Sequence, residues 1–186
     1  GSEFASILNS LGTKISVIEM MPKLLGNMDQ SLADAVAKDF ASSGIDVELS
    51  SKVLRVEDAD GKKKVVFEKN GKEAYKEAEY VLVSTGRKAN SAGLGLETLG
   101  MELVKGFIKV DDHMKTNITG IYAAGDITGQ GMLAHTAFEG GTVAVENIAG
   151  GNRTLDLKAV PKVVFVSNEV ASVGMTEEEA KEAGYE

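Results

Sequence analysis

The amino-acid sequence predicts an α/β fold built around a doubly wound sheet. Its first 50 residues alternate between helix and strand patterns, as in sheets that are covered by helices on both faces. Two later apolar runs, residues 80–84 and 120–124, are each followed closely by a glycine and a charged residue. Open α/β sheets bind their ligands at such carboxyl ends of strands.

Each of the first elements has its own signal. Residues 5–11 have the pattern of a helix end, and Gly12 follows where a left-handed C-terminal cap is common. Residues 14–19 carry β-branched side chains and little polarity, which predicts a strand buried on both faces. Residues 45–49 predict the next strand.

A helix is predicted between these two strands. Its apolar face consists of three residues spaced four apart, Leu32, Val36 and Phe40. Asp29 or Ser31 is available as the N-cap, because a side-chain oxygen there accepts hydrogen bonds from the first backbone amides. Gly44 ends the helix.

An antiparallel insertion follows, since polarity alternates with a period of two over residues 53–68. Asp60-Gly61 and Asn70-Gly71 predict two tight hairpin turns. The chain then returns to a buried strand at residues 80–84, which leads into Thr85-Gly86-Arg87. We expect this last turn to lie at the ligand edge of the sheet.

The second half of the chain begins with a glycine-rich loop over residues 88–106. Three leucines are expected to anchor it, Leu94, Leu96 and Leu99. A short strand is predicted at 107–110, a buried strand at 120–126, and a helix from about residue 133 to 149. The adjacent Gly140-Gly141 pair costs about 1 kcal/mol per glycine relative to alanine, so we expect close backbone packing there.

The last part of the chain predicts one more strand and one more helix. Residues 163–166 form an apolar run of strand length. Thr176 through Glu179 match the capping box that begins a helix.

Composition and charge exclude several classes of protein. With 43% hydrophobic and 26% charged residues, the chain is typical of a folded globular protein. A net charge of −8 argues against a nucleic-acid partner, and no apolar stretch approaches the roughly 20 residues that span a membrane. Because the chain has no cysteine and only two histidines, we expect no metal site and no thiol chemistry within it. No secretory signal is recognisable, which suits a cytoplasmic protein.

Two carboxylates lie where nucleotides bind in α/β folds. Glu19 ends the strand at 14–19, where an acidic side chain accepts hydrogen bonds from ribose hydroxyls; the alternative is an ordinary surface glutamate. The glycine fingerprint expected before Glu19 is absent, and Gly1 stands at most where its last glycine would be. Asp126 either caps the following helix or accepts hydrogen bonds from ligand hydroxyls.

Five motifs keep the order and spacing found in the FAD- and NAD-dependent disulfide oxidoreductases, which the chain resembles from about Ala5 onward. The motifs are Ile15–Met21, Thr85–Asn90, Gly120–Asp126, Met132–His135, and the stretch from Val160-Pro161 to Val173-Gly174. The chain looks most similar to the dihydrolipoamide dehydrogenase family. Met132–His135 favours this branch over the glutathione and mercuric reductases.

The resemblance implies a fold of three parts. Residues 1–88 would form part of a Rossmann-like NAD-binding domain with an antiparallel insertion, and residues 89–152 the C-terminal part of a FAD-binding domain. Residues 153–186 would begin an α+β dimerisation domain. Two positions depart from the family pattern: Ser167-Asn168-Glu169 replaces Thr-x-Pro-Glu, and Ala89 stands where proline is common.

The resemblance also implies which residues bind the cofactors. Glu19 would bind the adenosine ribose of NAD, Val53 would line its adenine pocket, and Gly86 would approach NAD through its backbone. Asp126 would hydrogen-bond the ribitol of FAD. Four consecutive residues would lie against the flavin, where the positive end of a helix stabilises negative charge on the reduced ring: Met132, Leu133, Ala134 and His135. His135 either contributes by its position or packs as an ordinary histidine at a helix start.

The family passes two electrons from dihydrolipoamide to a redox disulfide, then to FAD, and then as hydride to NAD+. Its FAD fingerprint, its C-x4-C pair and its His-Glu acid/base are absent from this chain. We therefore expect no catalytic residue in the chain and no activity of the chain by itself. The alternatives are a non-catalytic NAD(H)-binding module and a structural fragment that self-associates through unpaired sheet edges. The family also implies a homodimer that serves the dihydrolipoyl domains of 2-oxo acid dehydrogenase complexes.

Overall fold

A computed structural model describes residues 1–185 of the chain. They form two compact units, one from residues 1–84 with the segment that starts at Pro161, and one from residues 85–160. The helices are α1 (Ser2–Ser10), α2 (Gln30–Ser42), α3 (Ala134–Ile148) and α4 (Glu177–Glu182). The strands are β1 (Ser16–Ile18), β2 (Asp46–Glu48), β3 (Ser51–Ala59), β4 (Lys62–Lys69), β5 (Lys72–Ala78), β6 (Leu103–Val104), β7 (Phe107–Ile108), β8 (Lys162–Val164) and β9 (Val170–Ser172). This mixture of helices and strands confirms the predicted α/β class.

The alternation of helix and strand in the first unit is confirmed, and β1 pairs with β2 in parallel. Val36 and Phe40 of α2 are completely buried, and Leu32 packs against the same core. The four-residue spacing therefore identified the core face of the helix. Gly12 and Gly44 follow α1 and α2 with φ angles of +91° and +78°, which a residue with a side chain rarely adopts.

The predicted antiparallel insertion is a three-stranded sheet in the order β3-β4-β5. Both residues of Asp60-Gly61 and of Asn70-Gly71 have positive φ, as type I′ hairpin turns require. Glu48 of β2 joins this sheet to the parallel pair, because its carboxylate forms ion pairs with Lys69 of β4 at 2.5 Å and Lys76 of β5 at 3.2 Å.

Two predicted buried strands are not found in the described residues. Residues 80–84 have no regular secondary structure, and Tyr80 is 89% exposed. Residues 120–126 contribute only a single bridge, between Lys115 and Tyr122. Their apolar patterns suit a strand covered on both faces, but neither run has a hydrogen-bonded strand beside it in the described chain. Both strand predictions are therefore wrong here.

The helix predicted at 133–149 is confirmed as α3, and it supplies the core of the second unit. Val143 is completely buried and packs in a cluster with Met114. A Cβ atom on Gly140 would lie 3.3 Å from Met114 Sδ and 3.6 Å from the Cβ of Ala124, whereas one on Gly141 would meet nothing within 4 Å. Close packing therefore explains Gly140 and not Gly141.

The loop before α3 is anchored by one of the three predicted leucines. Leu96 is 8% exposed, whereas Leu94 and Leu99 are more than half exposed. Leu96–Leu99 is a short 3-10 helix, and Leu96 is its one buried residue. The strand predicted at 107–110 is found as β7, which pairs antiparallel with β6.

The C-terminal segment forms the predicted strand and helix within the first unit. β8 pairs antiparallel with β9, and Thr176 and Glu179 form the expected capping box of α4. Asp29 is the N-cap residue of α2, but its carboxylate does not bond to that helix. Its Oδ1 accepts a hydrogen bond from the backbone N–H of Glu177 at 2.6 Å, so Asp29 ties α4 to the start of α2.

Candidate functional site

Glu19 lies directly after β1, at the carboxyl end of the parallel pair. Its backbone N–H donates to the carbonyl of Glu48 at 2.9 Å. Its Oε1 accepts a hydrogen bond from the backbone N–H of Met21 at 2.8 Å, which holds the carboxylate beside the turn after β1. Oε2 has no hydrogen bond to any other described residue and is available to accept hydrogen bonds from ligand hydroxyls.

Val53 lies on β3, which begins beside Glu19. The backbone N–H of Ser51 donates to the carbonyl of Glu19 at 2.9 Å. A bulge interrupts the β3–β4 pairing between Val53 and Arg55, and Val53 is 44% exposed. An open apolar side chain near a carboxylate suits an adenosine, which combines an aromatic base with a hydroxylated ribose.

Gly86 belongs to the second unit, as do the remaining predicted site residues. Its φ angle is +110°, and no atom lies within 4 Å of a Cβ placed on it. The left-handed conformation favours glycine, and the open space leaves the backbone accessible to a ligand.

A cleft of about 260 Å³ in the second unit brings Asp126 and Met132 together. Its apolar lining includes Phe107, Ile127 and Met132, and its polar lining includes Arg87, Asn90 and Asp126. Arg87 Nη2 lies 3.4 Å from Asp126 Oδ2. The sequence pattern did not identify Arg87 or Phe107 as site residues, although Arg87 directly follows Gly86 and that adjacency was the available signal.

Asp126 begins a short 3-10 helix, Asp126–Thr128, and does not cap α3. The N-cap residue of α3 is Leu133, so the capping interpretation of Asp126 is wrong. Hydrogen bonds to its backbone carbonyls hold the short helix in place. Thr128 Oγ1 donates to the carbonyl of Gly125 at 2.8 Å, and the N–H of Gly129 donates to the carbonyl of Asp126 at 3.1 Å.

Met132–His135 form the approach to α3 and its first turn. Met132 has a left-handed φ of +44°, which is uncommon for a residue with a side chain. Leu133 provides no side-chain acceptor for the first amides of α3, and Ala134 and His135 are exposed on the first turn. The backbone amides and the positive end of the helix suit an electron-rich ligand edge.

Two buried polar atoms near this helix start have no hydrogen-bond partner among the described residues, Gln130 Oε1 and Thr136 Oγ1. A buried polar group left without a hydrogen bond costs about 1–3 kcal/mol. Such atoms take a ligand group or an ordered water as their partner. No sequence signal identified them, because burial of a single glutamine or threonine is decided by tertiary packing.

His113 is the loop residue that the sequence suggested. Its Nδ1 lies 2.9 Å from the carbonyl oxygen of Arg153, which is a structural contact.

Among residues 1–185, no three His, Cys, Asp or Glu side chains are grouped so that they could hold a metal ion. None of the helices in this same range is both long and apolar enough to cross a membrane.

Similar proteins are much longer than this chain. Mercuric reductase of Bacillus cereus is 38% identical over 188 residues, which is all of this chain and 30% of that protein. Dihydrolipoyl dehydrogenase of Chlamydia pneumoniae is 35% identical over 183 residues, which is 98% of this chain and 39% of that protein. The chain thus spans less than half the length of these relatives. Overall identity does not separate the two branches that Met132–His135 was expected to distinguish.

Solved structures agree with the fold. The HOCl-induced flavoprotein disulfide reductase RclA from Escherichia coli, in a Cu(II) complex, superposes with a TM-score of 0.87 at 29% identity, over 98% of this chain and 42% of that one. LpdA from Mycobacterium tuberculosis superposes with a TM-score of 0.88 at 29% identity, over 98% of this chain and 39% of that one.

The family assignment follows from the sequence profiles. The profile described as pyridine nucleotide-disulphide oxidoreductase matches residues 1–141, and that of the dimerisation domain of the same family matches residues 160–186. Proteins of this family use FAD and NAD(P). The resemblance expected from the motifs is confirmed, and the chain belongs to the pyridine nucleotide-disulphide oxidoreductase family.

Proposed function

We propose that this chain is part of a flavoprotein dihydrolipoyl dehydrogenase, which oxidises dihydrolipoamide with NAD+ through a redox disulfide and FAD. The observation that carries the proposal is the cleft in the second unit, where Asp126 lies with Met132 at the approach to α3. The lipoamide-type motif Met132–His135 supports this branch, as do several similar proteins named dihydrolipoyl dehydrogenase. Mercuric reduction is the second candidate, because a mercuric reductase is equally similar.

The residues around the cleft fit FAD in their chemistry. Asp126 offers a carboxylate to the ribitol hydroxyls, Phe107 and Met132 offer apolar walls, and the amides of the first α3 turn have no side-chain cap. Close to the start of α3, Gln130 Oε1 and Thr136 Oγ1 are buried polar atoms without a hydrogen-bond partner among the described residues. When bound, FAD supplies a ring that takes up two electrons. In this proposal residues 89–152 belong to the FAD-binding domain, and Met132, Leu133, Ala134 and His135 orient the pyrimidine edge of the flavin.

The nicotinamide nucleotide is assigned to residues of the proposed NAD-binding domain, 1–88. Glu19 accepts hydrogen bonds from the adenosine ribose through Oε2, and Val53 contacts the adenine. Gly86 approaches the dinucleotide through its backbone. The negative charge of Glu19 opposes a 2′-phosphate, which favours NAD over NADP.

We infer that the chain by itself has no dihydrolipoyl dehydrogenase activity. It has no cysteine, so it cannot form the redox disulfide that accepts electrons from the dithiol substrate. Its proposed role is to hold both cofactors within a larger cytoplasmic homodimer, whose dimerisation domain begins at about residue 153. The proposed partners of that dimer are the dihydrolipoyl domains of 2-oxo acid dehydrogenase complexes.

The NAD assignment is tested by titrating the purified chain with NADH and following fluorescence. We expect saturable binding that Glu19→Gln weakens roughly 10-fold, because hydrogen bonds to a charged acceptor are the stronger ones. Glu77→Gln on β5 is the matched control, since it removes an exposed carboxylate that pairs with Lys64 and not with the register position of Val53. Equal binding by the wild type and Glu19→Gln would refute the role of Glu19. Absence of binding at millimolar NADH would favour the structural alternative.

The flavin assignment and the lack of activity are tested together. The chain is mixed with FAD, freed of unbound flavin and examined by absorption, and a retained flavin band is expected. It is then assayed with dihydrolipoamide and NAD+, where no turnover is expected. A colourless protein would contradict the FAD site, and turnover above background in the absence of contaminating enzyme would contradict the inferred lack of activity.

A further inference from the structure

Arg87 is the residue that connects the two proposed cofactor positions within the second unit. It directly follows Gly86, which is assigned to the nicotinamide nucleotide, and its guanidinium lies 3.4 Å from the carboxylate of Asp126, which is assigned to the flavin. Both Arg87 and Asp126 line the same cleft of about 260 Å³. The cofactor assignments account for Gly86 and Asp126 but give no role to the arginine between them.

The backbone of Asp126 is held in place, whereas its side chain has a single partner. In the 3-10 helix that begins at Asp126, the N–H of Gly129 donates to the carbonyl of Asp126, and Thr128 Oγ1 donates to the carbonyl of Gly125. Arg87 makes the only ion pair to the Asp126 carboxylate among the described residues, and no other described side chain or amide donates to it. Arg87 is therefore the described side chain that is placed to orient this carboxylate.

We propose that Arg87 is a positioning residue of the flavin site, which holds the Asp126 carboxylate toward the cleft so that it can accept a ligand hydroxyl. The proposal rests on the assignment of this cleft to FAD. The geometry divides the two carboxylate oxygens between two tasks: Oδ2 faces Arg87 Nη2, and Oδ1 stays available for the ribitol. A carboxylate has acceptor positions for both.

The chemistry of arginine suits this task. The guanidinium is planar, always charged and carries five donors in a fixed fork, so it fixes the orientation of a carboxylate better than the single ammonium of lysine does. Arg87 is 75% exposed and Asp126 is 47% exposed in their side chains. An ion pair that is this exposed to water contributes little to the stability of the fold. We expect it to affect binding instead, because a bound ligand covers the cleft and removes the solvent around the pair.

The test measures the dissociation constant of FAD for the purified chain and its variants. We expect Arg87→Met to weaken FAD binding roughly 5- to 10-fold, the size of one ordinary net hydrogen bond, and Arg87→Lys to recover part of that loss. Lys109→Met is the matched control in the same unit. It removes an exposed ion pair with Glu102, 2.9 Å long, that does not line the cleft. FAD binding by this control is expected within about twofold of the wild type.

A double-mutant cycle distinguishes positioning from direct contact with FAD. If Arg87 acts through Asp126, Arg87→Met will have no further effect in the presence of Asp126→Asn. Additive effects of the two substitutions would overturn the proposal. They would mean that Arg87 contacts FAD itself or attracts it only through its positive charge, independently of Asp126.

A second measurement does not depend on flavin binding. Nitrogen NMR of the arginine side chains should show the Nη signals of Arg87 shifting on Asp126→Asn and remaining unchanged on Glu102→Gln. An Arg87 signal that is insensitive to Asp126→Asn would overturn the proposal. If the signal shifts but the wild type binds no FAD, the ion pair is real and the FAD assignment of the cleft fails, and with it the positioning role.

Discussion

Glu48 shows how one side chain joins separate parts of the first unit. It lies on β2 and contacts Lys69 and Lys76 on two different strands of the antiparallel sheet. Hydrogen bonds from Lys69 and then from Lys76 lower the pKa of Glu48 below its usual range, despite some opposing desolvation. A carboxylate whose folded pKa is lowered stabilises the fold above its unfolded pKa, and this contribution is lost as the pH falls through the folded pKa.

Glu48→Gln should therefore change both the stability and its dependence on pH. We expect the free energy of unfolding at pH 7 to fall by up to about 1 kcal/mol, since the ion pairs remain in contact with solvent. Below about pH 4.5 the wild type loses this contribution as the pH falls through the lowered pKa of Glu48, so the two proteins should converge at acid pH. Urea denaturation across this range measures the difference. Glu68→Gln, an exposed position on β4, should leave the pH profile unchanged. A gap between the wild type and Glu48→Gln that stays constant as the pH is lowered would contradict the ion-pair explanation.

At the level of elements, the helices, the hairpins and the first parallel strands followed from the sequence, whereas two predicted buried strands did not form. The predicted positions of α2 and α3 agree with the structure because a helix satisfies its hydrogen bonds within its own segment. The hairpins also agree, since Asp60-Gly61 and Asn70-Gly71 determine the pairing of strands that adjoin them. Residues 80–84 and 120–126 have equally clear apolar patterns, but a strand needs a partner elsewhere in the chain, which a local pattern cannot specify.

The candidate site divides in the same way. Asp126 and Met132, each given by a local motif, lie together in one cleft. Arg87 and Thr136 were missed, because their significance depends on an ion pair and on burial that only the folded chain creates. Local motifs thus identified two groups that line the cleft, whereas the residues that contact or surround those groups required the structure.

The glycine pair in α3 allows the packing of this helix to be tested. Gly141 has open space where a Cβ would be, whereas a Cβ on Gly140 would lie 3.3 Å from Met114 Sδ. Gly141→Ala should therefore raise the free energy of unfolding by about 0.5–1 kcal/mol, the gain in helix propensity. Gly140→Ala should gain less or lose stability, because the same propensity gain is opposed by overpacking. Thermal or urea unfolding compares the two variants, and equal stabilisation by both would refute close packing at Gly140.

At the scale of the whole molecule, residues 80–83 form an uncovered apolar segment. Its four side chains are apolar or aromatic, and Tyr80 and Val83 are 89% and 75% exposed. The backbone of these residues takes part in no strand pairing. Contiguous apolar surface with unpaired backbone groups is the usual starting point for association between chains. The relatives that this chain matches have more than twice its length. In those proteins the additional residues are numerous enough to cover such a segment.

We therefore expect the purified chain to self-associate in a concentration-dependent manner through residues 80–83. Leu82→Lys places a charge in the middle of this segment, and its desolvation cost on pairing should shift the chain toward monomer. Val104→Lys on β6 is the control, because it adds the same charge at another exposed apolar position. Sedimentation velocity over a range of concentrations measures the effect. If the wild type is monomeric throughout, or if both variants dissociate the chain equally, association through this segment is refuted. A shift confined to Leu82→Lys would identify residues 80–83 as the surface that a partner strand covers.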